Sequence, residues 1–342
     1  MKVITEVQTK RIFIILLLFA ACWFFNYLYQ IISYVHVNKK NRYYLKSDVL
    51  KTKNPMKNGL IIKMDNDIIT ISETIKPTEI SDILKVMLGL KNNKLIITVN
   101  DKDTSEYDID NHVGFSLKRL FNTNLCKAYN GAEDFRIIQG INKFFIFYSG
   151  LDVTGTKARQ CLLVLEKLTL KVVSHFILKF NDRDLHNCEK NWTPWVYHDD
   201  IHISYWLNPH IVYKVDITTG VCHFVSQSIF KNTFPKIKGG SKAVLTKYGY
   251  LGIAHTNTMK FLTDKLNMTR VYSHYFYLFS QDYPFEMKSV SRPFTLSNKN
   301  YEFVNDLYIT DDHLYINIGV EDIYTQLRKI HLDHVIEFIN NS

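Results

Sequence analysis

The sequence predicts an all-β protein, a β-propeller of repeated four-stranded blades, preceded by a single N-terminal transmembrane helix. Three observations support this prediction. Strand-like runs of about 5–7 residues, separated by Asn, Asp, Gly and Lys, fill most of the chain. Two distant segments repeat one strand–turn–strand pattern, and one long apolar run lies near the N terminus. A sandwich or a barrel has similar strand spacing, but the repeat favours blades.

The apolar run covers residues 12–38 and contains no Lys, Arg, Asp or Glu. A bilayer core requires roughly 20 such residues in a helix. A cleaved signal peptide is the alternative, but its apolar region is only about 7–15 residues long, and this run continues beyond Cys22. We therefore expect a tail at 1–11, an uncleaved anchor, a stem at 39–58 and the propeller at 59–342. This order predicts a type II protein whose domain is lumenal or extracellular.

The repeat consists of "PWVYHDDIHISYW" and "LYITDDHLYINIG". Each has an aromatic strand, an Asp-Asp turn and a second aromatic strand, and the two copies lie about 110 residues apart. Aromatic residues make up 14% of the chain, which favours strands over helical bundles. Residues 78–90 are the one segment with helical spacing.

The net charge and the cysteine pattern indicate which binding partners, metal sites and disulfides to expect. The net charge of +9 is spread along the chain without a long basic run, which argues against nucleic-acid binding. A diffuse positive field suits anionic substrates or an anionic membrane. None of the five cysteines forms a CxxC pair, so we expect no zinc or other metal site. In a lumenal domain, the four cysteines after Cys22 could form two disulfides.

Several polar clusters stand at strand entrances, and the inner-strand entrances of a propeller converge on its axis. We therefore expect one pocket that holds a carboxylate, cations and amides. The candidate residues are Asp134 as the catalytic group and, for substrate binding, Arg136, Lys190, Asn191, His210, Ser241, His255 and Asp322. Each cluster also has a structural interpretation: an ion pair at Arg136, a close backbone approach at Gly239-Gly240, and a core histidine at His255.

Strand geometry distinguishes the two adjacent carboxylates. Neighbouring residues on a strand point to opposite faces, whereas residues two apart share a face. Asp134 and Arg136 are therefore expected to face the pocket together, while Glu133 and Phe135 face the other way. On this basis we assign Asp134 to the pocket and Glu133 to structure.

The order of these clusters resembles five-bladed β-propellers of the mannoside phosphorylase type, glycoside hydrolase family 130, and the related β-1,2-mannosyltransferases. The segment "EDFRIIQGINKFFIFYSG" is similar to the family's "EDPR" and its following aromatic strand. "EKNWTPWVY" resembles "EKNW-x-P-F/W", the segment from Gly239 to His255 resembles "GG-S/T-x-A…GYL…H", and "INIGVED" resembles a closing "I/S-x-Y/I-G-x-x-D". The likeness covers Asp108 to Ile330.

The resemblance implies an inverting enzyme that transfers or phosphorolyses β-mannoside-like glycans. Asp134 would be its general acid or base, and Arg136, Lys190 and His255 would hold an anion or a sugar. It implies no cofactor, only inorganic phosphate, a sugar phosphate or a sugar nucleotide as co-substrate. Phe135 stands where the family has proline, and Lys238 stands where arginine often precedes the glycines. The Phe135 difference favours the alternative, a propeller that binds sugar or serves as a scaffold without catalysis.

Overall fold

The computed structural model describes residues 43–50, 60–64, 67–73, 95–99, 103–107, 132–152, 157–231, 234–262, 267–297, 299, 301–321 and 324–342. The chain divides into two units, Met1–Asn41 with Thr258–Val271, and Arg42–Asn257 with Tyr272–Ser342. The site described below lies within the second unit. The predicted anchor and the predicted helix at 78–90 lie outside the described residues. Within the described ranges, no helix is long and apolar enough to cross a membrane.

The described strands form five separate sheets. The first contains β3 (Leu60–Met64), β4 (Asp67–Glu73), β5 (Leu95–Val99) and β6 (Asp103–Tyr107). The second contains β7 (Glu133–Gln139), β8 (Lys143–Leu151), β9 (Ala158–Glu166) and β10 (Val172–Ile177). The third contains β12 (Thr193–Tyr197), β13 (Asp200–Leu207), β14 (His210–Val215) and β15 (Val221–Ser228), with β11 (Lys179–Phe180) at its edge. In these three sheets, strands that follow each other in the chain pair with each other and run antiparallel. The exception is the short edge strand β11, which pairs parallel with β15.

The fourth and fifth sheets combine strands from both ends of the chain. The fourth contains β16 (Lys238–Gly239), β17 (Val244–Thr246), β18 (Gly249–Leu262), β19 (Asn267–Phe279), β20 (Met287–Val290), β21 (Phe294–Thr295) and β1 (Tyr43–Tyr44). The fifth contains β22 (Glu302–Thr310), β23 (His313–Val320), β24 (Tyr324–His331) and β2 (Asp48–Leu50). The stem prediction is therefore wrong for residues 43–50, whose aromatic and β-branched side chains suit a sheet and whose Leu45 is buried in the core.

Consecutive sheets pack face to face through four apolar clusters. One cluster joins Ile97 of the first sheet to Ile146 of the second, and the next joins Phe147 of the second to residues of the third. Trp195 of the third sheet packs with Tyr250 of the fourth, their ring centroids 4.7 Å apart. The last cluster joins the fourth and fifth sheets. The fold is therefore all-β and propeller-like, as the sequence predicts.

The two copies of the sequence repeat occupy equivalent places. The first forms the β12–β13 hairpin and the second forms the β22–β23 hairpin, and each lies at the edge of its sheet opposite the short strand β11 or β2. Their turns use positive φ angles at His198 and Asp199 (47° and 63°) and at Asp311 (53°). Aspartate tolerates this left-handed region better than most residues, which explains the Asp-Asp turns.

A helix at the C terminus was not predicted. It is α1 (Leu332–Asn340), capped at its N terminus by His331, whose side chain accepts a bond from the Asp333 backbone. Its buried residues Leu332, Val335, Ile336 and Ile339 recur at helical spacing and pack on the core between the fourth and fifth sheets. The prediction that residues 78–90 are the one segment with helical spacing is therefore wrong, because the same spacing occurs here.

Candidate active site

Strands from the second, third, fourth and fifth sheets meet at one place. β7 packs against β12 and β22, while β16 packs against β13 and β17 packs against β22. The Arg136 Nε atom on β7 donates to the Gly240 carbonyl at 3.1 Å. The Ile137 amide donates to Asp306 Oδ2 on β22 at 3.2 Å. The structure thus brings the predicted clusters around Asp134, Lys190 and Gly239 together.

Asp134 lies in a β-bulge rather than in a regular strand. Its φ angle is +58°, and the register with β8 shifts between Glu133 and Arg136. Phe135 is buried against Tyr148, at 6.3 Å between ring centroids, and points into the sheet as predicted. The expected separation of the two carboxylates is wrong, because the bulge breaks the alternation of side chains.

Lys190 reaches both of these carboxylates. Its Nζ lies 3.7 Å from Glu133 Oε1 and 3.9 Å from Asp134 Oδ2. The Lys190 side chain is 23% exposed, and that of Asp134 is 25% exposed. Glu133 therefore belongs to the same polar cluster as Asp134, and a solute can reach the cluster from outside.

Arg136 is the most deeply buried cation of the site, with 0% of its surface exposed. Nη1 donates to the Asp134 carbonyl at 2.8 Å and Nε to Gly240. Nη2 is buried and has no hydrogen-bond partner among the described residues. Burial lowers the pKa of the guanidinium, while Asp134, Asp306 and Tyr277 counteract that effect. An unpartnered donor on a buried cation is costly, so it indicates a place for an acceptor from outside the protein.

His255 provides a second unpartnered nitrogen near these cations. It is 2% exposed, and its Nδ1 has no hydrogen-bond partner within the part of the chain that is described. Burial lowers the pKa of His255 well below its usual range, and the charges of His274, Arg136, Lys238 and Lys190 lower it further. The imidazole is therefore neutral at physiological pH, and no described residue uses the hydrogen-bonding capacity of its Nδ1.

Two glycines allow these elements to approach each other. A Cβ atom on Gly239 would lie 2.3 Å from the Asn191 carbonyl oxygen and 2.5 Å from Thr193 Oγ1. A Cβ atom on Gly240 would lie 2.9 Å from the Ile253 carbonyl oxygen. All three distances are shorter than a real contact allows, so the close backbone approach expected from the Gly-Gly pair is present.

The four remaining candidates are His210, Ser241, Asn191 and Asp322, and their surroundings differ. His210 is in the core, where Nδ1 donates to the Phe285 carbonyl at 2.7 Å and Nε2 bonds the Ser204 hydroxyl at 2.8 Å. Burial lowers the pKa of His210 to about 4. Both of its nitrogens are therefore occupied within the protein, which makes His210 a core histidine rather than a binding group.

The Ser241 hydroxyl is also used inside the protein. It donates to the Lys242 carbonyl at 2.7 Å and accepts from the Ile253 amide at 3.0 Å. Asn191 is half-buried beside the glycines with a φ angle of +66°. Asp322 lies outside the described residues.

Asp306 is a central residue that the sequence prediction missed. Its carboxylate accepts from the Ile137 and Lys242 amides at 3.2 and 3.1 Å, and it pairs with Lys242 Nζ at 2.9 Å. It is fully buried. Through these bonds it joins three chain segments close to Arg136. An acid within the apolar run "EFVNDLYI" is the signal that could have identified it.

Tyr277 was missed as well. Its hydroxyl donates to Thr193 Oγ1 at 3.1 Å, and its ring fills the space left by the absent side chain of Gly252. Burial raises the pKa of Tyr277 strongly, so the phenol stays neutral beside Arg136.

The structure also tests the predictions for metal ions and cysteines. Within the described ranges, no group of three His, Cys, Asp or Glu side chains is placed to hold a metal ion. Cys188 is disulfide-bonded, whereas Cys161 and Cys222 are buried free thiols. The four cysteines after Cys22 therefore do not form two disulfides.

Sequence comparisons identify no relative: no protein-family model matches the chain, and no curated protein matches it. Solved structures do match. A mannose phosphorylase from Leishmania mexicana, in complex with a phosphate ion, aligns with a TM-score of 0.54 and 10% identity, over 91% of this chain and 95% of that chain. The β-1,2-mannobiose phosphorylase from Listeria innocua aligns with a TM-score of 0.52 and 10% identity, over 86% and 96%.

A third structure represents the GH130 family of mannoside phosphorylases, in which glycoside hydrolases target β-1,2-mannosidic linkages in Candida mannan. It aligns with a TM-score of 0.52 and 13% identity, over 83% of this chain and 86% of that chain. Identities this low establish the fold and not the activity. The chain therefore has the propeller-like fold of the mannoside phosphorylases and glycoside hydrolases of family 130.

Proposed function

We propose that the protein is a carbohydrate-active enzyme that transfers or phosphorolyses β-mannoside-like glycans with inversion at the anomeric carbon. Asp134 is the general acid or base, and Arg136, Lys190 and His255 form the anion-binding part of the site. The fold of mannoside phosphorylases supports this proposal. Asn191 borders the pocket, and Asp322 remains a proposed sugar ligand.

The observation that carries the proposal is a pair of buried nitrogens, close to Lys190 and Asp134, that lack hydrogen-bond partners among the described residues. Arg136 Nη2 and His255 Nδ1 are both buried without a partner among the described residues. Lys190 adds a third positive or hydrogen-bonding group beside the same carboxylate. A phosphate or phosphoryl group has several acceptor oxygens and a negative charge, which matches a set made of one guanidinium, one ammonium and one imidazole.

The chemistry follows from these positions. In phosphorolysis, a carboxylic acid at Asp134 gives its proton to the leaving glycosidic oxygen, directly or through a substrate hydroxyl. Phosphate attacks the opposite face of the anomeric carbon, which forms a sugar phosphate with inversion. In the synthetic direction, the Asp134 carboxylate takes the proton of the acceptor hydroxyl while the acceptor oxygen attacks the anomeric carbon. Inorganic phosphate leaves a sugar phosphate donor, and a nucleoside diphosphate leaves a sugar nucleotide donor. The cations stabilise the phosphate charge in both directions.

The alternative is a propeller that binds a sugar without catalysis. The ion pairs of Lys190 with Glu133 and Asp134 favour it, because a carboxylate held in a salt-bridge cluster can serve structure alone. Product analysis distinguishes the two functions. The full chain is incubated with mannose 1-phosphate or GDP-mannose and an oligomannoside, and the products are measured by mass spectrometry. Extension by one hexose supports the enzyme; binding without any product supports the alternative.

Replacing Lys190 with glutamine tests the anion site. Loss of one charged hydrogen bond to phosphate should raise the KM for phosphate or sugar phosphate about 10- to 100-fold. The matched control is Lys214→Gln, since Lys214 forms an exposed pair with Asp200 at 2.6 Å on another part of the surface. Equal KM values for both variants would show that Lys190 is not part of the anion site.

We also propose that each of the five sheets is one blade of a five-bladed propeller. Residues 12–38 form the transmembrane anchor, 1–11 form a cytoplasmic tail, and the propeller domain is lumenal or extracellular. The uncharged length of the segment supports an anchor. The protein would then bind its glycan substrate on the lumenal or extracellular side of the membrane.

Deleting Met1–Asn38 tests the anchor. The described strands begin after this segment, so the truncated chain should remain folded and should move from the detergent phase to the aqueous phase. The measurement is phase partition of both chains, with circular dichroism to check folding. A truncated chain that aggregates, beside a monomeric full chain, would show that the segment belongs to the fold.

A further inference from the structure

Two turns of the second sheet lie side by side at the end away from the candidate site. β7 and β9 both begin at the site end, so the turns that follow them lie at the opposite end. The Lys167 amide in the β9–β10 turn donates to the Asn142 carbonyl in the β7–β8 turn at 3.0 Å. The two turns therefore form one surface.

The tips of both turns are apolar and exposed. Ile141 is 82% exposed and Leu168 is 93% exposed. Val172 and Val173, at the start of the outermost strand β10, are 48% and 52% exposed. Single exposed apolar residues are ordinary, but four together form a patch that usually contacts another surface.

The turns hold these side chains outward. The Gly140 amide donates to the Lys143 carbonyl at 2.9 Å, which closes the first turn. In the second turn, the Leu170 amide donates to the Glu166 carbonyl, also at 2.9 Å. Turn tips are usually polar, and nothing in these hydrogen bonds requires isoleucine or leucine at the tips. Folding alone therefore does not explain the apolar patch.

Three lysines flank the two turns along the chain. Lys143, Lys167 and Lys171 lie in or next to the two turns, against a single carboxylate at Glu166. Apolar tips within a basic rim match the interface of an anionic bilayer, where apolar groups enter the acyl boundary and lysines meet the headgroups. A symmetric contact with a second copy would instead bring these lysines against themselves.

We propose that this surface, formed by Ile141, Leu168, Val172, Val173 and the three lysines, rests on an anionic lipid membrane. The candidate site at the other end of the sheet then faces away from the bilayer and stays open to substrate. The proposal does not depend on the proposed enzymatic function.

A fluorescent label on the patch tests the contact. The full chain carrying Leu168→Cys is labelled with nitrobenzoxadiazole and mixed with vesicles of phosphatidylcholine, with and without phosphatidylserine. The emission should shift to shorter wavelength with phosphatidylserine and return when salt is raised. The control is Thr218→Cys, on the exposed β14–β15 turn at the same end of the third sheet, and the unsubstituted chain gives the background from native cysteines.

The expected result is a shift at residue 168 only, lost when Lys143, Lys167 and Lys171 are all replaced by glutamate in the labelled chain. Three results would overturn the proposal. One is the absence of a shift with either vesicle. Another is an equal shift without phosphatidylserine, which would remove the role of charge. The third is a shift that follows protein concentration in the absence of lipid, which would make the surface a contact between copies.

Discussion

Replacing Asp134 with asparagine should reduce glycosyl transfer or phosphorolysis by about 10²–10⁴-fold, the usual loss when a general acid or base is removed. Asparagine keeps the size of the side chain and tolerates the positive φ angle of this position. The Arg136 guanidinium bonds the backbone carbonyl of residue 134, and the substitution leaves that bond in place. The melting temperature should therefore change little. The measurements are turnover by product analysis and thermal unfolding of the same samples.

The control for this experiment is Asp200→Asn, which removes a carboxylate from an exposed pair with Lys214. It should leave turnover unchanged. A contrary outcome at Asp134 would be full turnover with a sharply lower melting temperature. The Asp134 carboxylate would then stabilise the bulge through Lys190, and the structural interpretation of the cluster would be correct.

Replacing Asp306 with asparagine should lower the free energy of unfolding by about 3–5 kcal/mol, as expected when one partner of a buried ion pair is removed. Its carboxylate accepts from the Ile137 and Lys242 amides and from Lys242 Nζ. An asparagine amide nitrogen cannot accept any of these bonds, so at least one buried donor loses its partner. Urea unfolding measures this loss.

The variant Asp200→Asn again serves as the control, because exposed ion pairs contribute only about 0–1 kcal/mol. Phosphate affinity is a second measurement on the Asp306 variant. Asp306 counteracts the effect of burial on the pKa of Arg136, and Arg136 belongs to the proposed anion site. We therefore expect the Kd of the folded variant for phosphate to differ from that of the unsubstituted protein. A stability equal to that of the control would show that Asp306 does not join the segments.

The sequence alone determined that the fold is all-β and propeller-like, and it identified two copies of a repeated hairpin. Strand positions follow from the alternation of side chains, and the two Asp-Asp hairpins occupy equivalent places in the third and fifth sheets. The close approach at Gly239 and the inward packing of Phe135 were also predicted correctly. All of these were predicted from local features of the chain, namely side-chain alternation, turn residues and side-chain size.

Only the tertiary structure decided which buried polar groups have hydrogen-bond partners among the described residues. His210 and Arg136 are both buried, yet both ring nitrogens of His210 are bonded, whereas Nη2 of Arg136 has no partner in the part of the chain that the structure describes. The role of Asp306 depends on Ile137, 169 residues away in the chain. The bulge that turns Asp134 and Glu133 toward Lys190 also requires the neighbouring strand. Hydrogen-bond partners brought together by packing leave no periodic signal in the sequence, because their spacing depends on the path of the whole chain.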